Sequence, residues 1–327
     1  MKLIIRGVAT ALAVTGALAA PTSLAAAEVV SEDREAMARL VDPAATVEKL
    51  ADGMKFIEGP VWTGTGADGR LIFSDIPANE LKAWSPSGGL TVFRTPSNHT
   101  NGNTLDREGR LVSAEHSARR ISRTATDGTV TTVVERIDGK RFNSPNDVVV
   151  KSDGTLWFTD PPYGLPKDQK RELDGNHVFR HDPASGKTTV VSSRHDMPNG
   201  LAFSPDESRL YVADSGRPRN ILVYDVRADG TLSEGRVFAE IDKGGPDGIR
   251  VDAEGNVWSS AGDGVQVFAP SGARLGRILC PESPANLAFG GPDGKWLFMT
   301  SRTGLYRVPV KIGATGRPGA APAADGK

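Results

Sequence analysis

From residue 54 onward, the chain repeats one arrangement of polar and apolar positions. A short polar phrase is followed by a run of β-branched or aromatic residues, a turn with Asp or Gly, and a second apolar run. Apolar runs on either side of a D-G turn predict an antiparallel hairpin. The stretch from Arg141 to Gly164 shows the arrangement in full, as the phrase NSPND, the strand VVV, the turn SDG and the strand TLWFT.

Six units of this kind can be aligned, and further apolar runs follow most of them. The units begin at Phe56, Asn101, Pro145, Pro198, Pro246 and Ala285. A period of roughly 40 to 50 residues with about four strands per unit is typical of a β-propeller. The sequence therefore predicts an all-β fold, a six-bladed β-propeller with four-stranded blades. A large β-sandwich is the alternative, and repetition at a fixed period disfavours it.

The boundaries of the predicted propeller are residues 47 and 311. The last unit has room for only three strands, so the stretch from Val47 to Ile57 is expected to supply the fourth strand and close the ring, which removes exposed edges. Residues 28–46 are predicted to be a lead-in segment with a short helix between Val29 and Asp42, because Met37 and Leu40 fall on one face. Residues 312–327, rich in Gly, Pro and Ala, are predicted to be a disordered tail.

The first 27 residues are typical of a signal peptide. Lys2 and Arg6 give a positive start, an apolar Ala-rich run follows, and Ala25-Ala26-Ala27 offers a small-residue cleavage site. A membrane anchor is the alternative, but the apolar run is short for a stable span. We therefore expect a periplasmic or secreted protein, exported by the general secretory route because no Arg-Arg pair is present, without a membrane span after cleavage.

Composition narrows the range of partners and cofactors. The 327 residues are 38% hydrophobic, include 37 Gly and 22 Pro, and carry a formal net charge of -1. This near-neutral balance gives no electrostatic reason to expect nucleic acid as a partner. Cys280 is the single cysteine, so neither an intrachain disulfide nor a cysteine-based metal site is possible.

The polar phrases indicate a site at one mouth of the propeller channel. Each phrase precedes the strand that would line the channel, so side-chain oxygens of Glu58, Asn146, Asp147, Asn199 and Asp247 are expected to converge. Carboxylates and amides without a thiol suit one divalent cation, with Ca²⁺ first and Mg²⁺, Mn²⁺ or Zn²⁺ as alternatives. Asn-Gly and Asp-Gly are also ordinary turn dipeptides, but their shared register and the presence of Glu58 favour a site.

These phrases resemble a known family. EGPVW, PND, PNGL and PDG, in this order between about Ile57 and Val310, are similar to the gluconolactonase–regucalcin family of the senescence marker protein type. The resemblance implies a six-bladed propeller with one divalent cation in its channel and hydrolysis of sugar lactones. It also implies that Glu58, Asn199 and Asp247 bind the cation, with Asn146 as a further ligand or a substrate contact.

The sequence departs from the animal members of this family in one phrase. Their uninterrupted Arg-Phe-Asn-Asp is split here, because Ser144-Pro145 separates Arg141-Phe142-Asn143 from Asn146-Asp147, so the contact of Arg141 with substrate stays open. The phrases NGN…EH and DPPYGL resemble the bacterial, often exported, gluconolactonase branch. Diisopropylfluorophosphatase-type phosphotriesterases and the lactonase induced by cell-wall drugs are similar in build.

The hypothesis for function is therefore a metal-dependent hydrolase that opens a small-molecule sugar lactone. The cation would activate water and polarise the lactone carbonyl, and Asp247 or Asp147 would take the proton. Predicted substrate contacts are Asn146, His116, Tyr163, Asn101 and Arg141, and His99 could also face the channel. A related esterase or phosphotriesterase, and a non-catalytic ligand-binding propeller, are the alternatives.

Overall fold

The computed structural model of the protein describes residues 29–314, so the predicted signal peptide and residues 315–327 lie outside the described part. The described chain forms six antiparallel sheets of at least four strands. The first strand of each sheet contacts the first strand of the next, and the sixth contacts the first. The predicted six-bladed β-propeller with four-stranded blades is confirmed.

The elements before the first blade and in the first half of the ring are short and separated by tight turns. The lead-in elements are β1 (Val29–Ser31), α1 (Arg34–Leu40) and β2 (Glu48–Ala51). Blade 1 comprises β3 (Ile57–Thr63), β4 (Arg70–Asp75), β5 (Glu80–Ser85) and β6 (Gly89–Arg94), with 3₁₀ turns at Gly66–Asp68 and Ile76–Ala78. Blade 2 comprises β7 (Thr100–Leu105), β8 (Leu111–Glu115), β9 (Arg120–Thr124) and β10 (Val130–Val134).

A small hairpin separates blade 2 from the second half of the ring. It is made of β11 (Arg136–Ile137) and β12 (Lys140–Arg141). Blade 3 comprises β13 (Val148–Val150), β14 (Leu156–Asp160), β15 (His177–Asp182) and β16 (Lys187–Ser192), and blade 4 comprises β17 (Pro198–Phe203), β18 (Arg209–Asp214), β19 (Asn220–Asp225) and β20 (Arg236–Glu240). Blade 5 comprises β21 (Ile249–Val251), β22 (Val257–Ala261), β23 (Gly264–Phe268) and β24 (Arg274–Leu279), and blade 6 contains β25 (Asn286–Gly290), β26 (Trp296–Ser301) and β27 (Gly304–Pro309).

Strand β2 closes the ring, as the sequence predicted. It pairs antiparallel with β27, with Glu48 opposite Arg307, and so becomes the fourth strand of blade 6. The ring is thus closed by strands from the two ends of the propeller, which pair within one sheet.

The lead-in segment differs from the prediction at its start. Residues 29–31 form a strand that pairs with β24, with Val29 opposite Ile278, so blade 5 has a fifth strand. The β-branched Val29 and Val30 favour a strand where an outer edge is available. The helix begins only at Arg34, where the Asp33 side chain accepts a hydrogen bond from the Ala36 N–H at 3.0 Å.

Aromatic side chains fill the spaces between neighbouring blades. Trp62 of blade 1 stacks on Phe298 of blade 6 with ring centroids 5.4 Å apart, and Trp157 of blade 3 meets Phe203 of blade 4 edge-on. These contacts hold each blade against the next, so the inner strands have fixed positions around the channel.

The start of the predicted tail is attached to the propeller. Within residues 312–314, the Gly313 carbonyl accepts a hydrogen bond from the Ala253 N–H at 2.9 Å. The rest of the predicted tail lies outside the described residues. Among residues 29–314, no helix has the length and apolar character needed to cross a bilayer.

Candidate active site

Where the inner strands begin, the backbones of neighbouring blades come into direct contact. The Gly200 N–H donates to the Asp247 carbonyl at 3.1 Å, and the Gly102 N–H donates to the Asn146 carbonyl at 2.8 Å. A Cβ atom on Gly200 would lie 2.3 Å from the Asp247 oxygen. The glycines after Asn101 and Asn199 therefore permit close approach within the ring rather than a turn, and the asparagine before each lies at the channel mouth.

Three aspartates at the ends of second strands hold the phrases that precede the inner strands. Asp160 accepts hydrogen bonds from the Asn143 and Ser144 N–H groups at 2.7 and 2.8 Å. Asp75 does the same for the two residues before Ile57, and Asp214 for the two residues before Pro198. These aspartates end the phrases FSD, FTD and VAD in the aligned repeats. Their hydrogen bonds position the segments leading to Glu58, Asn146 and Asn199.

One cavity of about 650 Å³ opens at this mouth of the channel, and it collects most of the predicted site. Its lining includes all four predicted cation ligands, Glu58, Asn146, Asn199 and Asp247. It also includes four of the five predicted substrate contacts, namely Asn146 again with Asn101, His116 and Tyr163. Because each comes from a different blade or loop, only the closed ring brings them together.

The two carboxyl groups that line the cavity influence each other. Burial raises the pKa of Glu58 to about 7, although hydrogen bonds from the Gly59 N–H and from Asn286 oppose this shift. Burial, followed by the negative charges of Glu58 and Asp147, holds the pKa of Asp247 well above its usual range. Two adjacent buried carboxylates favour either a bound proton or a bound cation.

Amide groups complete the ring of oxygens. The Asn199 Nδ2 donates to Ser215 Oγ at 2.9 Å, and Ser215 in turn donates to the Pro246 carbonyl, so the orientation of this amide is fixed. Asn286 of blade 6, which is 2% exposed, hydrogen-bonds to Glu58 and was not predicted from the sequence. In the aligned units, Asn286 occupies the position of Asn199 and Asp247, and this alignment could have identified it. Unlike those two residues, Asn286 is not followed by a glycine.

Asp147 does not line the cavity. It is 1% exposed, its Oδ1 accepts a hydrogen bond from the Val148 N–H at 2.9 Å, and its Oδ2 lies 3.6 Å from Nη1 of Arg250. Burial raises the pKa of Asp147, and the positive charge of Arg250 opposes this shift. The structure therefore places this aspartate behind the cavity, as a charged neighbour of the carboxylates that line it.

Arg141 also lies outside the lining of the cavity. Its Nη2 donates to the Ala118 carbonyl at 2.6 Å, and its backbone N–H donates to Glu172 at 2.8 Å. The guanidinium thus ties the β8–β9 turn to the hairpin of β11 and β12.

Blade 2 contributes a wall with two histidines. The Asn101 Nδ2 and the His116 Nε2 are 3.3 Å apart, and His99 Nδ1 lies 2.7 Å from Ser117 Oγ. Burial, assisted by neighbouring His99, lowers the pKa of His116 to about 4, so His116 is neutral at neutral pH.

The loop between β14 and β15, residues 161–176, covers part of the cavity. Tyr163 and Gly164 belong to the lining, and the Gly164 N–H donates to Ser144 Oγ at 3.0 Å. A Cβ atom on Gly164 would lie 2.1 Å from the His116 ring, so the loop packs directly on blade 2. Burial, followed by the charge of Asp247, raises the pKa of Tyr163 to about 12, so the hydroxyl remains a hydrogen-bond donor.

The chemistry of the lining fits a hard divalent cation. Within residues 29–314, no group of three or more His, Cys, Asp or Glu side chains is arranged to hold a metal ion. A cation in this cavity would therefore be bound by the carboxylates of Glu58 and Asp247 together with amide oxygens of Asn146 and Asn199. Oxygen donors of mixed type and loose geometry are the ligands that Ca²⁺ prefers.

The fold and the cavity together define a six-bladed propeller with a carboxylate–amide site at one channel mouth. The family model described as "SMP-30/Gluconolactonase/LRE-like region" matches residues 56–303. The chain belongs to this family, and the resemblance seen in the sequence is confirmed.

Named relatives match over most of their length. The chain is 34% identical to a gluconolactonase from Zymomonas mobilis, over 83% of each chain. It is 30% identical to pentonolactonase XacC from Haloferax volcanii, over 84% of this chain and 97% of that one. The solved structure of a gluconolactonase from Xanthomonas campestris superposes with a TM-score of 0.80 at 36% identity, covering 88% of this chain and 95% of that one.

Proposed function

We propose that this protein is a lactonase that opens a sugar lactone in the cavity at the channel mouth and uses one divalent cation, with Ca²⁺ preferred. The observation that carries the proposal is the convergence of Glu58, Asn146, Asn199 and Asp247 in a single cavity. Full-length relatives named gluconolactonase and pentonolactonase support the reaction class.

The cation supplies Lewis-acid chemistry: it polarises a carbonyl oxygen and lowers the pKa of a nearby water. Glu58, Asn146, Asn199 and Asp247 are the residues that would hold it. A non-catalytic binding propeller would have no need for two buried carboxyl groups with raised pKa values in one cavity.

The residues of the cavity have separate roles in this proposal. Asp247 lines the cavity whereas Asp147 does not, so Asp247 is the carboxylate that accepts the proton of the attacking water. Asn101, His116 and Tyr163 offer hydrogen bonds to the hydroxyl groups of the lactone, and Asn146 can contact either the cation or the substrate. Arg141 does not line this cavity, so no substrate contact is assigned to it.

The test is a pH-indicator assay on glucono-1,5-lactone with purified protein, before and after chelation. Acid release should stop when the cation is removed and return when Ca²⁺ is added. Glu58→Gln and Asp247→Asn should lose most activity, whereas Glu254→Gln, on an exposed side chain, should keep it. Full activity in chelator would refute the role of the cation, and no release from any lactone would refute the lactonase. Turnover of phosphotriesters or simple esters instead would favour the alternative hydrolase.

Export is a second, separate proposal, and the composition of residues 1–27 supports it. The mature protein should begin close to Glu28 and be found outside the inner membrane. Mass measurement of the protein from cell fractions tests this, and an uncleaved chain retained inside the cell would refute it.

A further inference from the structure

His99 lies in a backbone conformation that the surrounding residues impose. Its φ is 50°, and that of the preceding Asn98 is 59°. This left-handed region is uncommon for residues other than glycine, and such residues cluster at functional sites. Two consecutive residues of this kind at the rim of the cavity need support from their neighbours.

That support comes from two side chains. Asn79 Oδ1 accepts hydrogen bonds from the His99 N–H at 2.9 Å and from the Ser97 N–H at 3.1 Å. Asn98 donates to Glu115 at 2.9 Å, and Glu115 is fully buried and paired with Arg120. The backbone at His99 is therefore held from both sides.

The imidazole of His99 is fixed as well. Its Nδ1 lies 2.7 Å from Ser117 Oγ, and both residues line the cavity. Among the described residues, Nε2 of His99 has no hydrogen-bond partner, so this atom remains for a group inside the cavity. A charged imidazole would donate Nδ1–H to Ser117 and keep Nε2–H for that group.

The other titratable groups in the lining are either assigned to other roles or poorly suited to donate a proton. Glu58 and Asp247 are assigned to the cation and the attacking water. His116 is fully enclosed, and its pKa is lowered to about 4 by burial, whereas the pKa of Tyr163 is raised to about 12. His116 is next to His99, because its N–H donates to the His99 carbonyl at 3.3 Å, and the other three groups line the same cavity.

We propose that His99 is a catalytic residue that protonates the leaving ring oxygen of the lactone. This inference rests on the proposed function. Water adds to the carbonyl carbon while Asp247 takes its proton, and the bond between this carbon and the ring oxygen then breaks. The electron pair of that bond moves to the ring oxygen, which takes the Nε2 proton of His99. His99 recovers a proton from solvent and Asp247 releases one, so the sum is lactone plus water to hydroxy acid.

His99→Asn is the informative variant, because Asn tolerates the left-handed region and the backbone can keep its form. Loss of a general acid should lower kcat on glucono-1,5-lactone by about 10²–10⁴-fold. His181→Asn, on a histidine of β15 outside the cavity, is the matched control and should keep its activity.

Leaving-group dependence gives a second readout that a structural role would not change. A phenolic lactone such as dihydrocoumarin leaves as a stable phenoxide and needs little proton donation, so His99→Asn should lose much less activity on it. Activity of the variant within about threefold of wild type on the sugar lactone, or an equal loss of activity on both lactones, overturns the assignment. Inactive wild type would refute the proposed function and this inference together, whereas active wild type with an active variant refutes the inference alone.

Discussion

The Oδ2 atom of Asp147 lies 3.6 Å from Nη1 of Arg250, directly behind the carboxylates of the cavity. Arg250 is the positive charge that opposes the raised pKa of both Glu58 and Asp147. It therefore offsets part of the repulsion that three buried acids create when no cation is bound. The charge balance of the site therefore depends on Arg250, a residue of blade 5 that does not line the cavity.

Replacing Arg250 with Met should destabilise the cation-free protein by about 3 kcal/mol, because removal of one partner leaves a buried charge uncompensated. Urea unfolding in chelator measures this free energy. Arg250→Lys keeps the charge and is the control. The double variant Arg250→Met, Asp147→Asn should recover part of the loss. A double variant as unstable as the sum of the single variants would show that the pair does not interact.

Cation affinity should rise with pH. Because the pKa of Glu58 is raised to about 7, protons and the cation compete for its carboxylate below that pH. Calorimetric titration of Ca²⁺ should therefore show weaker binding below about pH 7 than above it.

Glu58→Gln provides the control for this competition. The variant should bind Ca²⁺ more weakly at all pH values and keep only the pH dependence that Asp247 contributes, because the pKa of that ligand is also held well above its usual range. Affinity that stays constant from pH 5 to about pH 8 in the wild type would contradict the role of Glu58 as a ligand.

The convergence of the polar phrases was predictable because the repeats share one register. Glu58 and Asn199 are the second residues of inner strands, and Asn146 and Asp247 lie two residues before one. A closed ring turns such similar positions along the chain into neighbours in space. Closure through β2 was predictable for a related reason, since the last unit lacked one strand.

Contacts across the ring were not predictable in the same way. Arg250 is one residue of the strand IRV, and nothing in its local pattern shows that it reaches Asp147 of blade 3. The fifth strand of blade 5 was missed because its partner edge, β24, belongs to the far end of the chain. Such relationships depend on tertiary distance, whereas the pattern of a repeat reports only local structure.

Asp160 should stabilise the protein through its two backbone hydrogen bonds rather than through its charge. Burial raises the pKa of Asp160 to about 7, although hydrogen bonds from Asn143 and Ser144 oppose the shift. With a folded pKa above the unfolded value, its contribution is complete below about pH 4 and is lost as the pH rises through about 7.

Asp160→Asn should cost about 1–3 kcal/mol, because the amide NH₂ cannot accept the bond that one oxygen accepted. The wild type should lose stability relative to the variant as the pH rises from about 4 to about 7. Denaturant unfolding across this range measures both effects. An equal change of the unfolding free energy with pH in the two proteins would contradict the raised pKa of Asp160. Asp214→Asn tests the corresponding pair of backbone hydrogen bonds in blade 4.

Gly200→Ala should separate blades 4 and 5 at the channel mouth. The added Cβ atom would lie 2.3 Å from the Asp247 carbonyl oxygen, on a backbone that has no flexible side chain to give way. Overpacking of this kind costs about 1–3 kcal/mol. It should also move Asn199 and Asp247 apart, so Ca²⁺ affinity and lactone turnover should fall together. Gly245→Ala, whose nearest atom would be 3.7 Å away, is the matched control. Thermal unfolding, calorimetry and the lactone assay on both variants decide the matter, and unchanged Ca²⁺ affinity in Gly200→Ala would show that the contact between these strands does not set the geometry of the site.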